Sequence, residues 1–361
     1  MYFGLSEEQS FFKDNVKKYL EEHATIDNIK HIANGDEKNI SDDIHQGLLN
    51  LGVNGLLIPE EFGGLGLDLL FAAVVSEALG GGVGPTPFIA PYVMAPTALM
   101  HAGSENQKEN YLSKISTNKY QFGVGFSEFV GKRNDVGITF SNGKVNGRSM
   151  FVLDTKTATH LLLADEKGQI FVIDTKSPNI EIVQLTTVDK TRQYSEVICK
   201  NVKAELLEHS SDSTYPINKT IDAARIILAA DSLGASQTMI DKAVDYAKER
   251  KQFGRAIGSF QAVKHMCAEM AADLEPCYAL IWHSAHCHDH SPDEARLMAC
   301  HAKAHLSEMS KGIAKKATEV HGGMGFTDLL GLHYWFKRIG LNRQILGSPE
   351  LCREDAFQAQ V

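Results

Sequence analysis

The 361-residue sequence predicts a mainly α-helical protein with a central β domain, and three observations carry that expectation. Apolar residues recur at helical spacing towards both ends of the chain, short β-rich runs occupy the middle, and the two patterns do not alternate. Separate blocks of helix, strand and helix argue for three segregated units rather than repeated βα crossovers.

The first unit, residues 1–119, reads as helical. Ser6 followed by Glu7, Glu8 and Gln9 offers a capping hydroxyl and an acidic first turn, and residues 69–79 form an apolar-rich helix. The run Gly80-Gly-Gly-Val-Gly-Pro-Thr-Pro87 is expected to break that helix. The second unit, residues 120–207, contains strand-like runs at 159–164, 169–174 and 195–199, with turn signals at Ser141-Asn-Gly143 and Ser177-Pro-Asn179. After Tyr215-Pro216 the helical period returns, with Ala224, Leu228, Ala235, Met239 and Tyr246 on one face. This third unit is assigned to 215–350, its long helices continuing to about residue 346, and the tail after Pro349 is expected to fray.

Composition narrows the function classes. With 43% apolar and 22% charged residues the chain is ordinary for a globular protein. A formal charge of −9 and no basic run disfavour a nucleic-acid partner. No apolar run reaches the roughly 18 residues of a membrane span, and Met1-Tyr-Phe-Gly lacks the charged-then-apolar pattern of a leader, so the expected address is cytoplasmic. The widely spaced Cys199, Cys267, Cys277, Cys287, Cys300 and Cys352 read as reduced, mostly buried thiols.

Three segments stand out: Tyr246-Ala-Lys-Glu-Arg-Lys-Gln-Phe-Gly254, His321-Gly-Gly-Met-Gly-Phe326 and Gly55-Leu-Leu-Ile-Pro-Glu-Glu-Phe-Gly-Gly-Leu-Gly66. Together they resemble the acyl-CoA dehydrogenases. The resemblance implies an N-terminal α domain, a small β-barrel or sandwich and a C-terminal four-helix bundle. It also implies an FAD site shared between subunits, removal of an α-proton and a β-hydride from an acyl-CoA thioester, and an electron-transferring flavoprotein as acceptor.

Carried over position by position, the resemblance places Arg250 on the pyrophosphate of a neighbour's FAD and Gln261 on the same dinucleotide. Gly322 and Gly323 match the glycines of a QxxGG segment whose glutamine is Glu319 here. Asp222-Ala-Ala-Arg225 is similar to a DxGR segment that touches CoA, with Asp222 and Arg225 on one helical face and open to a groove. Ser127 and Glu128 survive from a (T/S)EPxAGSD flavin segment, Phe126-Ser-Glu-Phe-Val-Gly-Lys-Arg-Asn-Asp135, and Phe151 replaces the usual tryptophan. The two family positions for the catalytic carboxylate are Gly347 and Ala224, so the catalytic residue is unassigned, with Glu350, Asp222 and Asp328 as candidate substitutes. This pattern resembles the degenerate subunits of heteromeric acyl-CoA dehydrogenases of steroid side-chain or dicarboxylate catabolism, whose homologous partner supplies the base. Two alternatives stay open: a non-catalytic CoA-binding scaffold, and an active homo-oligomer with an unconventional base.

Taken alone, the same residues have plainer readings. Arg250 is a cation at a helix C-terminus, the glycine pair is a turn, and Asp222 with Arg225 is an exposed pair worth a few tenths of a kcal/mol. His283, His286, Cys287 and His290 share a helical face, joined by Cys300, His301 and His305. No carboxylate stands at an established ligand spacing and Ser291-Pro292 marks a turn, so solvated histidines and no metal are expected. His333-Tyr-Trp-Phe336 reads as packing and Lys337-Arg338 as a helix-surface pair.

Overall fold

The computed structural model describes residues 4–35, 39–131 and 133–360; the expected leaderless start at Met1 and Lys132 of the flavin-like segment lie outside them. The first helices are α1 (Glu7–His23), α2 (Ile26–Asn34), α3 (Asn39–Asn50), α4 (Leu69–Gly81), α5 (Ala95–Ala102) and α6 (Glu105–Ser116). Ser6 caps α1 through a capping box with Gln9, as its spacing predicts. The helix α4 is apolar but for Ser76 and Glu77 because nearly all of it is buried, and a turn of π-helix, Ile89–Met94, follows its glycine-rich exit.

The middle of the chain forms β1 (Phe122–Gly125), the short α7 (Ser127–Val130), β2 (Gly137–Ser141), β3 (Lys144–Leu153), β4 (His160–Ala164), β5 (Ile170–Asp174), β6 (Ile180–Leu185), β7 (Tyr194–Lys203) and β8 (Glu205–Leu206). They make one sheet in the order β6-β7-β3-β1-β4-β5-β8, with β2 on β3. Every pairing is antiparallel except β1 with β4. A core of Ile138, Val145, Leu161, Leu163, Phe171 and Val197 lies against this sheet.

The remaining elements are α8 (Tyr215–Glu249), the hairpin β9 (Lys251–Gln252) and β10 (Arg255–Ala256), α9 (Gln261–His290), α10 (Pro292–His321), α11 (Leu332–Asn342) and α12 (Pro349–Gln358). The tail expected to fray is instead the helix α12. Ser348 caps it, Pro349 starts it, and Cys352 and Ala356, one turn apart, bury against Cys300 and Ala304 of α10.

The two helical units pack through α4 and α8, which cross backbone to backbone. A methyl at Gly80 would sit 1.8 Å from the Asp231 carbonyl oxygen, and one at Gly234 would sit 1.8 Å from that of Glu77. Ser76 Oγ donates to the Ile227 carbonyl at 2.8 Å beside this crossing. All six cysteines are free, Cys267 alone being half-exposed. No helix among the described residues is long and apolar enough to cross a membrane.

Candidate functional site

A cavity of about 250 Å³ opens between the β domain and the C-terminal helices, lined by Ser127, Arg133, Phe151, Leu346, Gly347 and Ser348 among others. The retained Ser-Glu pair divides its labour. Ser127, first residue of α7, faces the cavity. Glu128 turns inward, accepting from Ser149 Oγ at 2.8 Å and from the Met150 N–H at 2.9 Å, with Arg133 3.6 Å away. Those bonds hold an irregularity in β3 where its register with β7 shifts between Ser149 and Val152. Phe151 sits in that irregularity at φ +54°, a conformation costly for an aromatic residue, and the Arg133 guanidinium lies 5.2 Å from its ring centroid.

On the opposite wall Gly347 has φ +115°, and a Cβ there would lie 3.0 Å from Arg225 Nη2 and 3.3 Å from Cys352 Sγ. Arg225 is responsible for that shape. Its Nε donates to the Leu346 carbonyl at 2.9 Å, its Nη1 to Cys300 Sγ at 3.2 Å, and its Nη2 lies 2.7 Å from Asp355 Oδ2. Asp222 accepts from Arg296 at 2.6 Å, and Arg296 also reaches Asp355 at 2.9 Å. The expected groove at Asp222 and Arg225 is therefore corrected: both face inward into an ion network, because Arg296 and Asp355, remote in sequence, supply the partners. Their burial, 4.0 Å apart, also replaces the plainer reading of an exposed pair.

Among the described residues no carboxylate lines this cavity. Glu350 points outward to Arg343 at 3.3 Å, Asp328 is exposed beside His333 at 3.5 Å, and Asp222 is closed in the network just described.

A second group of expected residues gathers at the end of the helical bundle. Arg250 caps α8, and its carbonyl accepts from the Ile257 N–H at 2.8 Å, which folds the following hairpin back. The hairpin tip, Phe253 at φ +52° and Gly254 at φ +77°, has the positive angles of a type I′ turn and holds the Phe253 ring 91% exposed. Tyr246, on the last turn of α8, stacks on His321 at 4.6 Å and so brings Gly322 and Gly323 beside that end. Gly322 has φ +57° and ψ −140°, a conformation open to glycine, and a Cβ on either glycine would meet nothing within 4 Å. Arg250, Gln261 and Glu319 are exposed, and the Arg250 guanidinium has no partner within this chain among the described residues.

Open backbone at two glycines and an unpaired guanidinium fit the phosphates of a dinucleotide approaching from outside the chain. The cavity at Ser127 and Phe151 offers a hydroxyl and an aromatic face to a ring system, with Arg133 lying over Phe151. None of its lining residues belongs to the Arg250 end.

Two buried constellations were not legible in the sequence. Arg338, read as helix surface, is wholly buried: it donates to Asp189 at 2.6 Å and to Asp231 at 3.3 Å and also bonds Thr191 and the Gly84 carbonyl. Near it a cavity of about 120 Å³ is lined by His45, Thr86, Asp154 and Arg192 among others. His45 Nδ1 lies 2.7 Å from Thr86 Oγ1 and its Nε2 3.0 Å from the Tyr92 hydroxyl. Burial lowers the His45 pKa to about 4 and raises that of Asp154 to about 6.

Comparison with known proteins defines the class. The acyl-CoA dehydrogenase N-terminal domain matches residues 6–119 and the acyl-CoA dehydrogenase C-terminal domain matches residues 214–359. The chain belongs to the acyl-CoA dehydrogenase family, a family of flavoprotein oxidoreductases. Acyl-CoA dehydrogenase IpdE2 of Mycolicibacterium smegmatis is 29% identical over 350 residues, 96% of each chain. Caffeyl-CoA reductase-Etf complex subunit CarC of Acetobacterium woodii is 27% identical over 352 residues, 90% of each. The solved butyryl-CoA dehydrogenase of Megasphaera elsdenii, 20% identical, superposes over the full length of both chains with a TM-score of 0.87, which establishes the fold.

Proposed function

We propose that the chain is one subunit of an FAD-dependent acyl-CoA dehydrogenase, working in an assembly whose homologous partner supplies the carboxylate that removes the α-proton. The observation that carries this reading is Gly347. The family position for the base is a glycine at φ +115°, where a Cβ would lie 3.0 Å from Arg225, and among the described residues no acidic side chain lines the adjoining cavity. A positioned general base contributes on the order of 10²- to 10⁴-fold, so its loss from one subunit is tolerable only where another provides it.

In this arrangement Arg250 gives a permanent charge to the pyrophosphate of a neighbour's FAD, Gln261 an amide, and Gly322 with Gly323 an open backbone. Ser127 offers its hydroxyl to the flavin edge in the chain's own cavity. Asp222 and Arg225 act as positioning residues for the acyl-CoA site by fixing the Leu346–Gly347 turn that forms its wall. FAD held by these residues would supply the hydride-accepting chemistry that the oxidation needs. CarC belongs by name to a complex with Etf, which supports an electron-transferring flavoprotein as the electron acceptor here.

The test is thioester oxidation with a dye acceptor by the chain alone and by the chain co-expressed with a homologous partner. Turnover is expected only with the partner. Turnover by the chain alone, abolished by a single carboxylate substitution, overturns the proposal in favour of an active homo-oligomer. One observation favours a second reading, a non-catalytic CoA-binding subunit: Arg133 already covers the Phe151 face. A colourless complex that binds CoA would select it.

A further inference from the structure

The corner where α9 turns into α10 lies outside the site described above and gathers three ligand-type side chains. His283 and Cys287 stand one helical turn apart on α9, which ends at His290 with the Ser291 N–H bonded to the Cys287 carbonyl at 2.9 Å. Pro292 starts α10, and the Glu294 N–H donates to the Ser291 carbonyl at 3.0 Å, so the chain reverses within one turn. That reversal sets the Glu294 carboxylate against the Cys287 sulfur, at 3.7 Å, while His283 Nε2 lies 3.5 Å from the same sulfur. The three ligand atoms all lie within 4.8 Å of one another.

We propose that His283, Cys287 and Glu294 form a binding site for one divalent transition-metal ion of the zinc type, with water at the fourth position. A tetrahedral zinc holds sulfur at about 2.3 Å and nitrogen or oxygen at about 2.0–2.2 Å, which places neighbouring ligand atoms about 3.5 Å apart. Both contacts to sulfur already have that spacing. The longest edge of the triangle closes by movement of Glu294, which is exposed, while Cys287 is buried and His283 half-buried. A thiolate, an imidazole and a carboxylate select zinc or cobalt over magnesium or calcium, which take oxygen ligands. Sequence spacing alone did not offer this set, because the carboxylate comes from across the Ser291-Pro292 turn.

The binding step balances simply. The Cys287 S–H bond breaks, the proton goes to solvent, the metal–sulfur bond forms, and the hydrated ion gives up waters to imidazole and carboxylate. The ion would staple α9 to α10 at a corner that also holds α4 and α8, since Asp289 accepts from the Leu69 N–H at 2.7 Å and His288 Nε2 lies 3.1 Å from the Lys219 carbonyl.

The test uses full-length protein stripped with a chelator and titrated with Co²⁺, then Zn²⁺. One equivalent of Co²⁺ should give strong visible bands of a tetrahedral ion together with a thiolate charge-transfer band, and Zn²⁺ should bleach both. Cys287→Ser should remove the charge-transfer band, and Glu294→Gln, an exposed change that leaves the core intact, should weaken binding beyond the roughly 10- to 100-fold typical of losing an outer-shell partner. Cys267→Ser serves as the control and should change nothing. Apparent affinity should rise about tenfold per pH unit, reflecting the one proton released. Absence of one-equivalent binding overturns the proposal. So does a cobalt spectrum without a thiolate band, as the neighbouring His286–His290 ring pair would give, or a Glu294→Gln protein that binds like the parent.

Discussion

At the residue scale the decisive position is Gly347. A glycine at φ +115° cannot be exchanged for a carboxylate as a simple repair, because the new Cβ would press on Arg225 and Cys352 and the backbone would have to leave its present conformation. Gly347→Glu is therefore expected to destabilise the fold by about 1–3 kcal/mol, read as a lower urea midpoint, without giving the lone chain turnover. A Gly347→Glu protein that oxidises thioester by itself would show that the turn can adopt the geometry of the missing base. Truncating Arg225 is a harsher change, since it leaves the Leu346 carbonyl without its donor and Asp355 with Arg296 alone. Arg225→Ala is expected to cost about 3–5 kcal/mol, measured in the same way, whereas Arg250→Ala should leave stability almost unchanged. The sequence made it legible that positions 224 and 347 carry no carboxylate, because residue type alone decides that. It could not show that Asp222 and Arg225 face inward, because the partners that turn them, Arg296 and Asp355, stand on other helices.

At the element scale, the helical and strand blocks were readable from periodicity, and the cap of α1 from Ser6 and Gln9. The order of α12 was not, because the local cap of Ser348 and Pro349 holds a helix there only with its two-residue apolar face meeting α10. The α4–α8 crossing was equally hidden: Gly80 read as a helix breaker, yet its function is close approach. Gly234→Ala is expected to force the two backbones apart and destabilise the protein by about 1–3 kcal/mol or more, measured by thermal or urea unfolding. The cavity shared by α3, the loop of Pro85, Thr86 and Pro87, and Asp154 just past β3 gives a pH signature. His45 stays neutral in the folded protein down to about pH 4, while the unfolded chain takes up its proton near pH 6.5, so this residue makes stability fall as pH drops from about 6.5 towards 4. Asp154 acts in the opposite sense. The folded protein keeps its proton up to about pH 6 while the unfolded chain releases it near pH 4, so stability rises as pH falls through that window. The two contributions offset one another in the parent. Asp154→Asn should unmask an acid-labile slope, and His45→Gln should leave the opposite one, each of about 2 kcal/mol between pH 7 and pH 4.5 in urea titrations.

At the scale of the whole molecule, the proposed function divides a dinucleotide site between two places, the Ser127–Gly347 cavity and the Arg250 end, and so requires assembly. The surface beside Arg250 agrees with it: Phe253, Phe326 and Leu329 are 91%, 81% and 72% exposed, more apolar surface than a solvated helix end needs. Phe253→Asp is expected to shift the assembly towards smaller species in light scattering while the helical signal is retained. The most direct measurement of the central claim is the flavin absorbance per chain of the co-expressed assembly, compared between the parent and Arg250→Ala. The parent should be yellow at a fixed stoichiometry, and the variant should hold flavin about 10- to 100-fold more weakly and lose most of it on dialysis, as expected for one charge-assisted contact of about 1.5–3 kcal/mol. Full flavin occupancy in the variant would contradict the claim that this side chain holds a dinucleotide belonging to its neighbour.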